Sequence, residues 1–286
     1  MDTGRLSLHF EGDIVLDHMV SARTLGKSLV HTQNAIDRAF LDLKYGNLWK
    51  HARMRGDDYL AADFIALYPE EGGFVQKLLS DSGKAIADRI SAALMPAMER
   101  VLAQGEDVAS SMSQQVENRK NQIAHGIVEP QHFLAVLDNP GEQVVRTYAD
   151  RAINREIDQV LSIIRSQHSG ESFLEIETSG TKTLKYEFNK FRSERFHSVV
   201  SRREVGTPVI YVARVRQLDR DRLNGKVVNL ENDKTVIVHF LHDDDFVKVH
   251  PYLGNNQEMI FIGAPVIEYG AFDPNAGDIY FIDMLA

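Results

Sequence analysis

The polar run of residues 117–126 holds the side chains of this chain whose types and spacing best suit chemistry. Arg119 and Lys120 are cations, Asn121 carries an amide and His125 an imidazole. Histidine titrates closest to neutrality, so His125 suits the role of general acid or base. Arg119 or Lys120 suits the binding of a phosphate and the stabilisation of negative charge that develops on it. These four residues are therefore a candidate catalytic site for RNA cleavage without a metal, which would leave a 2′,3′-cyclic phosphate.

The element that must position these groups is a helix predicted from about Asp107 to His125. Asn121 and His125 stand four residues apart and so lie on one helix face, with Gln122 within reach of His125. Lys120 lies about 100° around the helix from Asn121. A cation, an amide and an imidazole are thus expected to converge at the end of one helix.

Residues 118–126 read Asn-Arg-Lys-Asn-Gln-Ile-Ala-His-Gly, which resembles the R-x(4–6)-H signature of HEPN domains. That signature is often an arginine, an asparagine, two residues, an alanine, a histidine and a glycine. HEPN domains are all-helical, commonly dimerise, and bring the arginine and histidine of both copies into one cleft. Many are ribonucleases of toxin–antitoxin, CRISPR and phage-defence systems, and the resemblance implies the same fold and activity for this region.

The run also departs from that signature and has a simpler interpretation. Lys120 occupies the usual arginine position, and lysine does not supply the two-pronged contact of a guanidinium. Arg119 fits the looser spacing, with five residues between it and His125. Alternatively, His125 and Gly126 are an ordinary helix end, with glycine in the left-handed conformation and cations near the negative end of the helix dipole. Both interpretations remain open at the level of the sequence.

A second basic segment interleaves cations with phenylalanines. Its candidate nucleic-acid-binding residues are Lys190, Arg192, Arg195, Arg202 and Arg203. Phosphate contact combined with base stacking is what the binding of single-stranded RNA requires. The alternative is an amphipathic connector whose phenylalanines pack under the following domain.

Hydropathy patterns predict an α+β protein with three parts. Residues 1–81 form a small α+β module, with strands at Arg5–Phe10, Tyr59–Tyr68 and Phe74–Leu79. Residues 82–168 form a helical bundle that would host the HEPN-like domain. Residues 169–286 form a β-hairpin followed by a small barrel of SH3-like or OB-like type.

The pattern in the last part is the clearest. Two alternating runs around Ser179-Gly180-Thr181 predict a hairpin. Five further strands are predicted at Val209–Val215, Gly225–Asn229, Thr235–Leu241, Met259–Tyr269 and Asp278–Asp283.

The amino-acid composition excludes several classes of functional site. The 286 residues include no cysteine, which excludes disulfides, zinc–thiolate sites, iron–sulfur clusters and cysteine nucleophiles. The three histidines His239, His242 and His250 near the run Asp243-Asp244-Asp245 are better explained as solvated residues than as metal ligands. We therefore expect no metal and no cofactor. The N-terminal residues lack a signal-peptide pattern and no long apolar run is present, so we expect a cytoplasmic protein away from membranes.

These observations lead to two expectations for function. The first is an RNA-binding or metal-independent RNA-cleaving protein of bacterial phage defence or of toxin–antitoxin type. The second is a non-catalytic protein that binds a protein partner or assembles with itself. We expect RNA or a protein as partner and a homodimer or higher homo-oligomer. Residues 6–12, His18 and residues 25–29 also resemble the opening of uncharacterised bacterial and prophage proteins, which agrees with a setting of phage–host conflict.

Overall fold

The computed structural model of the chain describes residues 3–46, 48–70, 72–103, 110–254 and 257–285. They divide into two compact units, each assembled from segments that are distant in sequence. The first unit comprises Met1–Leu48, Ala52–Glu106 and Ala149–Ser201, and the second comprises Trp49–His51, Asp107–Tyr148 and Arg202–Ala286.

In chain order the elements are β1 (Gly4–Glu11), α1 (Ala22–Tyr45), α2 (Gly56–Ala61), β2 (Ile65–Ala66), β3 (Phe74–Ser80), α3 (Lys84–Leu102), α4 (Met112–Ala124), β4 (Gln131–His132), α5 (Phe133–Asp138), α6 (Tyr148–Leu161), β5 (Phe173–Ser179), β6 (Thr183–Asn189), α7 (Lys190–Val200), β7 (Arg203–Val205), β8 (Val209–Asp219), β9 (Asn224–Asn229), β10 (Lys234–His239), α8 (Asp243–Val249), β11 (Met259–Glu268) and β12 (Ile279–Met284).

Within the described residues, the first unit is built on a five-stranded sheet of order β2-β3-β1-β5-β6. β1 lies at its centre and pairs antiparallel with β3 on one side and β5 on the other. Leu6, Leu8 and Phe10 alternate along β1 and are buried, as the period of a pleated strand requires. α3 packs against β1 and β5, and α1 and α7 pack against α3, so the helices cover the apolar face of the sheet.

The second unit contains a barrel that closes on itself through strands β8, β9, β10, β12 and β11, in the part of the chain that the structure describes. β10 and β12 pair in parallel, whereas the other neighbours pair antiparallel. Aromatic side chains fill the interior: the ring centroids of Tyr211 and Phe261 are 5.4 Å apart, and those of Phe261 and Phe281 are 5.9 Å apart. α8 lies between the third and fourth strands of this barrel in chain order.

The predicted α+β class is confirmed, and so are the strands of the barrel, the hairpin (β5 and β6), β1 and β3. The predicted layout of three modules is not confirmed. Residues 82–106 and 149–168 belong to the first unit and residues 107–148 to the second, while the hairpin joins the sheet of β1. The reason is that β1 and β5 pair although they are far apart in sequence, which no local pattern reveals.

The predicted strand Tyr59–Tyr68 is wrong at its start, since its first three residues belong to helix α2. Asp58 explains the difference, because its side chain accepts a 2.9 Å hydrogen bond from the backbone nitrogen of Arg55 and so stabilises the first turn of a helix. Only Ile65 and Ala66 pair as a strand. None of the helices formed by the described residues has the length and hydropathy needed to span a membrane.

Candidate functional site

Helix α4 carries the four residues predicted to be catalytic. Ser111 begins it: the Ser111 hydroxyl accepts a hydrogen bond from the backbone nitrogen of Gln114, and the Gln114 side chain accepts one from the backbone nitrogen of Ser111. This reciprocal pair is a capping box, which satisfies two backbone donors at the helix start. The described helix therefore begins at Met112, and residues 107–109 of the predicted helix lie outside the described part of the chain.

α4 packs on the outside of the barrel rather than in a helical bundle. Its Val116 is fully buried in a cluster with Val205 of β7 and with Ile262 and Ile282 of the barrel strands. Because the apolar face of α4 packs against the barrel, its polar residues are distributed over the remaining faces of the helix. Their surroundings differ from face to face.

Arg119 lies in a groove of about 410 Å³ beside β7. The groove is lined by the amide side chains of Gln115, Asn118, Gln122 and Gln143, together with Arg119, Arg202 and Glu204. Nη1 of Arg119 donates to Oε1 of Gln122 at 2.8 Å, and Nη2 donates to the carbonyl oxygen of Val205 at 3.3 Å. Both acceptors are neutral.

The electrostatic state of Arg119 follows from these contacts. Burial lowers the pKa of its guanidinium, and no counter-charge opposes that effect. Across the described ranges, no carboxylate forms an ion pair with Arg119. A half-buried cation with neutral partners only is a ready binding position for an anion.

Lys120 faces another direction. Its Nζ lies 2.8 Å from Oδ2 of Asp245, a buried carboxylate in the first turn of α8. One turn earlier, Oε1 of Glu117 lies 3.0 Å from Nε2 of His242, which precedes α8. These two pairs attach α4 to α8, and Lys120 does not line the Arg119 groove.

Asn121 and His125 lie at the exposed end of the helix. Nδ1 of His125 is 2.8 Å from the carbonyl oxygen of Asn121, so the imidazole is held to the last turn. Gly126 follows with φ of +65°, the left-handed conformation of a helix C-terminus. Gln122 does not reach His125 as predicted but accepts the hydrogen bond from Arg119. Within one chain the four predicted residues therefore divide among three surroundings.

The residues predicted to bind nucleic acid are divided between the two units. Lys190, Arg192 and Arg195 lie on α7 of the first unit, whereas Arg202 and Arg203 lie in the second. Nε of Arg202 is 2.7 Å from Oε1 of Glu204, and Nε of Arg203 is 3.2 Å from Oε1 of Glu268. Carboxylates thus already partly neutralise these two arginines.

The α7 residues have weaker ionic contacts, although Nη2 of Arg195 donates a hydrogen bond to the carbonyl oxygen of Ala103. Phe191 is 62% exposed, and the guanidinium carbon of Arg195 lies 5.7 Å from the centroid of its ring. Nη1 of Arg192 is 3.5 Å from Oε2 of Glu187, a weak contact. Neither Lys190 nor Arg195 forms an ion pair with any residue that the structure describes. An aromatic ring flanked by cations is suited to base stacking.

Two of the three histidines set aside as metal ligands contact carboxylates. Nε2 of His239 is 3.0 Å from Oδ2 of Asp278, and His242 contacts Glu117. No three acidic or histidine side chains in the described residues converge on a position that could hold a metal.

The groove itself was not predicted from the sequence, although a signal for it exists. Gln115, Asn118, Arg119 and Gln122 follow the spacing i, i+3, i+4, i+7, which places all four on one helix face. The Arg–His spacing instead predicted that Arg119 groups with His125. Comparisons with known proteins add no further information, since no protein-family model, no curated protein and no solved structure matches the chain.

Proposed function

We propose that this protein binds RNA and that Arg119 in the groove beside α4 contacts an RNA phosphate. The observation that carries the proposal is the half-buried Arg119 guanidinium, whose hydrogen-bond acceptors are the neutral oxygens of Gln122 and Val205. A phosphate oxygen would supply the missing negative charge. Charge-assisted hydrogen bonds of this kind are about twice as strong as neutral ones.

The rest of the groove suits RNA better than a bare anion. Asn118 is exposed at its rim, and Gln143 lies on its wall with a second side-chain amide. Amides both donate and accept hydrogen bonds, so they suit contacts with base edges and ribose hydroxyls. The exposed ring of Phe191 with Lys190 and Arg195 supports a second contact, on the first unit, where an unpaired base stacks.

The topology of the barrel also supports the proposal. A five-stranded closed barrel whose third and last strands pair in parallel, with a helix between the third and fourth strands, resembles the OB type. Barrels of that type commonly bind oligonucleotides. This is an argument from architecture, so the weight of the proposal rests on Arg119.

Cleavage is a narrower form of the proposal. It requires the imidazole of His125 and the guanidinium of Arg119 to act on one phosphate, and His125 does not line the groove of its own chain. A ribonuclease site would therefore use His125 from a second copy, the arrangement that the HEPN resemblance implies. The proposed biological setting, phage defence or a toxin–antitoxin system, rests on that resemblance alone.

Equilibrium binding tests the proposal. A 5′-fluorescein 12-nucleotide RNA is titrated with the full chain at low salt, and the anisotropy is followed. Arg119→Gln should weaken binding at least tenfold, because a hydrogen bond to a charged group contributes roughly 1.5–3 kcal/mol. Arg119→Lys should fall between, since it keeps the charge but loses the two-pronged geometry.

The matched control is Arg155→Gln. Arg155 is exposed on α6 of the first unit and forms no ion pair within the described residues. This substitution removes the same charge at a residue that does not line the groove, and it should leave the affinity within about twofold. Equal affinities for the Arg119→Gln variant and the unaltered chain would overturn the proposal.

A second candidate function, the binding of a protein partner, is favoured by one specific observation. Large apolar side chains are exposed around the edge strand β2, with Tyr68 94% and Leu60 81% exposed. Large exposed apolar patches on a folded protein mark interaction sites.

A further inference from the structure

The surface around β2 exposes several large apolar side chains. We call residues 56–70 the edge segment; it comprises α2, β2 and the residues that flank them. Its exposed large apolar residues are Tyr59 (59%), Leu60 (81%), Ile65 (66%), Leu67 (39%) and Tyr68 (94%). Burial of such side chains contributes roughly 1.5–3 kcal/mol each, so leaving them in water forgoes stability. Their concentration in ten positions indicates a surface that is covered in function.

The backbone of this segment is also open to pairing. β2 is the edge of its sheet and pairs only with β3 among the described strands. The backbone nitrogen of Leu67 donates to the carbonyl oxygen of Lys77, so Leu67 belongs to a hydrogen-bonded pair. In an antiparallel ladder the hydrogen-bonded pairs alternate, and the backbone groups of Ala66 and Tyr68 therefore point away from β3. These outward groups can accept an additional strand.

The charge of the edge segment indicates which kind of partner it would bind. Residues 56–70 contain no lysine or arginine. Asp57 and Asp63 are exposed, and no ion pair engages either carboxylate in the part of the chain that the structure describes. Glu70 is exposed as well, although Lys77 contacts it at 2.5 Å. The edge segment thus carries exposed carboxylates as well as exposed apolar side chains.

We propose that the edge segment binds an extended segment of a partner protein in which apolar residues alternate with lysine or arginine. The partner pairs with Ala66 and Tyr68 as an added strand. Its apolar side chains cover Ile65 and Leu67 on one face of the added strand, and its cations project from the opposite face. The exposed carboxylates of the segment attract these cations. This surface belongs to the first unit and does not depend on RNA binding at Arg119.

A second copy of this chain is a poorer occupant of the same edge. Antiparallel pairing of β2 with itself would bring two copies of the same acidic segment together, and like charges that face each other across strands are destabilising. RNA is a poorer occupant as well, because its phosphates carry the same sign as Asp57 and Asp63.

A peptide titration tests the proposal. The probe is an acetylated, amidated decapeptide in which lysine and valine alternate, titrated into the full chain by calorimetry at moderate salt. Two control peptides are used: one alternates glutamate with valine, and the other holds five lysines followed by five valines. The first removes the charge complementarity, and the second keeps the charge but removes the alternation. We expect the alternating lysine peptide to bind at least tenfold more tightly than either control.

Two protein variants locate the binding. Ala66→Pro removes an outward backbone donor and should weaken the lysine peptide at least tenfold. Asp63→Lys changes an exposed side chain and leaves the backbone unchanged. It should weaken binding of the lysine peptide about fivefold. Hydrogen exchange should show slower exchange of the Ala66 and Tyr68 amides when the peptide is bound.

Each remaining outcome contradicts the proposal. Equal binding of the control peptide with five lysines followed by five valines would show that net charge alone attracts the probe. Unchanged affinity in both variants would place the peptide elsewhere. Concentration-dependent dimerisation that Ala66→Pro abolishes would assign the edge to a second copy instead.

Discussion

Nζ of Lys120 lies 2.8 Å from Oδ2 of Asp245, and this contact joins α4 to α8 on the outside of the barrel. The side chain of Asp245 is only 7% exposed, so its carboxylate depends on this partner. The contact explains why Lys120 and Arg119, neighbours in sequence, serve different purposes. Lys120 holds the helix in place, while Arg119 on the next face lines the groove beside β7.

Lys120→Met should therefore destabilise the protein. Removing the ammonium leaves the buried Asp245 carboxylate without its cation, and we expect the free energy of unfolding to fall by about 2 kcal/mol. Urea denaturation measures the change. Lys234→Met, at an exposed lysine with no ion pair in the described ranges, is the control and should be nearly neutral. RNA affinity of folded Lys120→Met should drop less than threefold; a large loss with no change in stability would contradict the structural role.

His125→Ala should not change RNA affinity measurably, because the imidazole lies at the helix end, bonded to Asn121, and not in the groove. In EDTA, at concentrations where sedimentation shows a monomer, the chain should leave RNA intact. Electrophoresis of end-labelled RNA provides the measurement. Products with 2′,3′-cyclic phosphate ends that disappear in His125→Ala would show instead that His125 is catalytic.

Two glycine substitutions compare the end of α4 with the interior of α1. Gly126 has φ of +65° and open space where a Cβ would lie, so Gly126→Ala adds only backbone strain and should cost about 1 kcal/mol. Gly26, inside α1, also has open space but no positive φ, so Gly26→Ala should stabilise the protein by roughly 0.5–1 kcal/mol. Thermal unfolding should therefore shift in opposite directions. A neutral Gly126→Ala would mean that this helix ends differently.

The carboxylate of Asp278 should make the free energy of unfolding depend on pH in the acidic range. Burial alone would raise the pKa of its carboxyl, but hydrogen bonds from His239 and Lys50 outweigh that effect and lower the pKa to about 2. A depressed folded-state pKa contributes stability above the unfolded value of about 3.9, and that contribution disappears as pH falls through the folded pKa. Asp278→Asn should therefore be less stable than the unaltered chain at pH 6, by about 1 kcal/mol once solvent screening is included.

The difference should close between about pH 4 and pH 2, which urea titrations at several pH values can follow. Asp221→Asn, at an exposed residue of the loop after β8, is the control and should differ little at any of these pH values. A gap for Asp278→Asn that stays constant over the whole range would show that the carboxylate does not interact as described.

Local pattern was sufficient for much of the fold. The alternation of Leu6, Leu8 and Phe10 predicted β1, and the turn at Ser179-Gly180-Thr181 predicted the β5–β6 hairpin, because side-chain period and turn chemistry are local properties. The same holds for the barrel strands, whose boundaries differ from the predicted ones by a few residues.

Pairing over long distances could not be predicted in this way. Nothing within residues 4–11 indicates that β1 pairs with residues 173–179, and nothing in α4 indicates that Val116 faces the barrel. The direction of Arg119 depends on that packing, since the buried stripe decides which helix face remains for the groove. Residue types therefore suggested RNA phosphate chemistry, and the spacing allowed Arg119 to contact either Gln122 or His125. The packing of α4 shows that the face of Arg119 and Gln122 lines the groove and that His125 does not.

The salt dependence of RNA binding tests the central claim most directly. For single-stranded nucleic acid, each phosphate contact contributes a slope of about −0.7 to the logarithm of the association constant against the logarithm of salt concentration. If Arg119 contacts a phosphate, the slope for Arg119→Gln should be less negative than that of the unaltered chain by about 0.7, while Arg155→Gln keeps the original slope. Identical slopes for the unaltered chain and Arg119→Gln would contradict the claim.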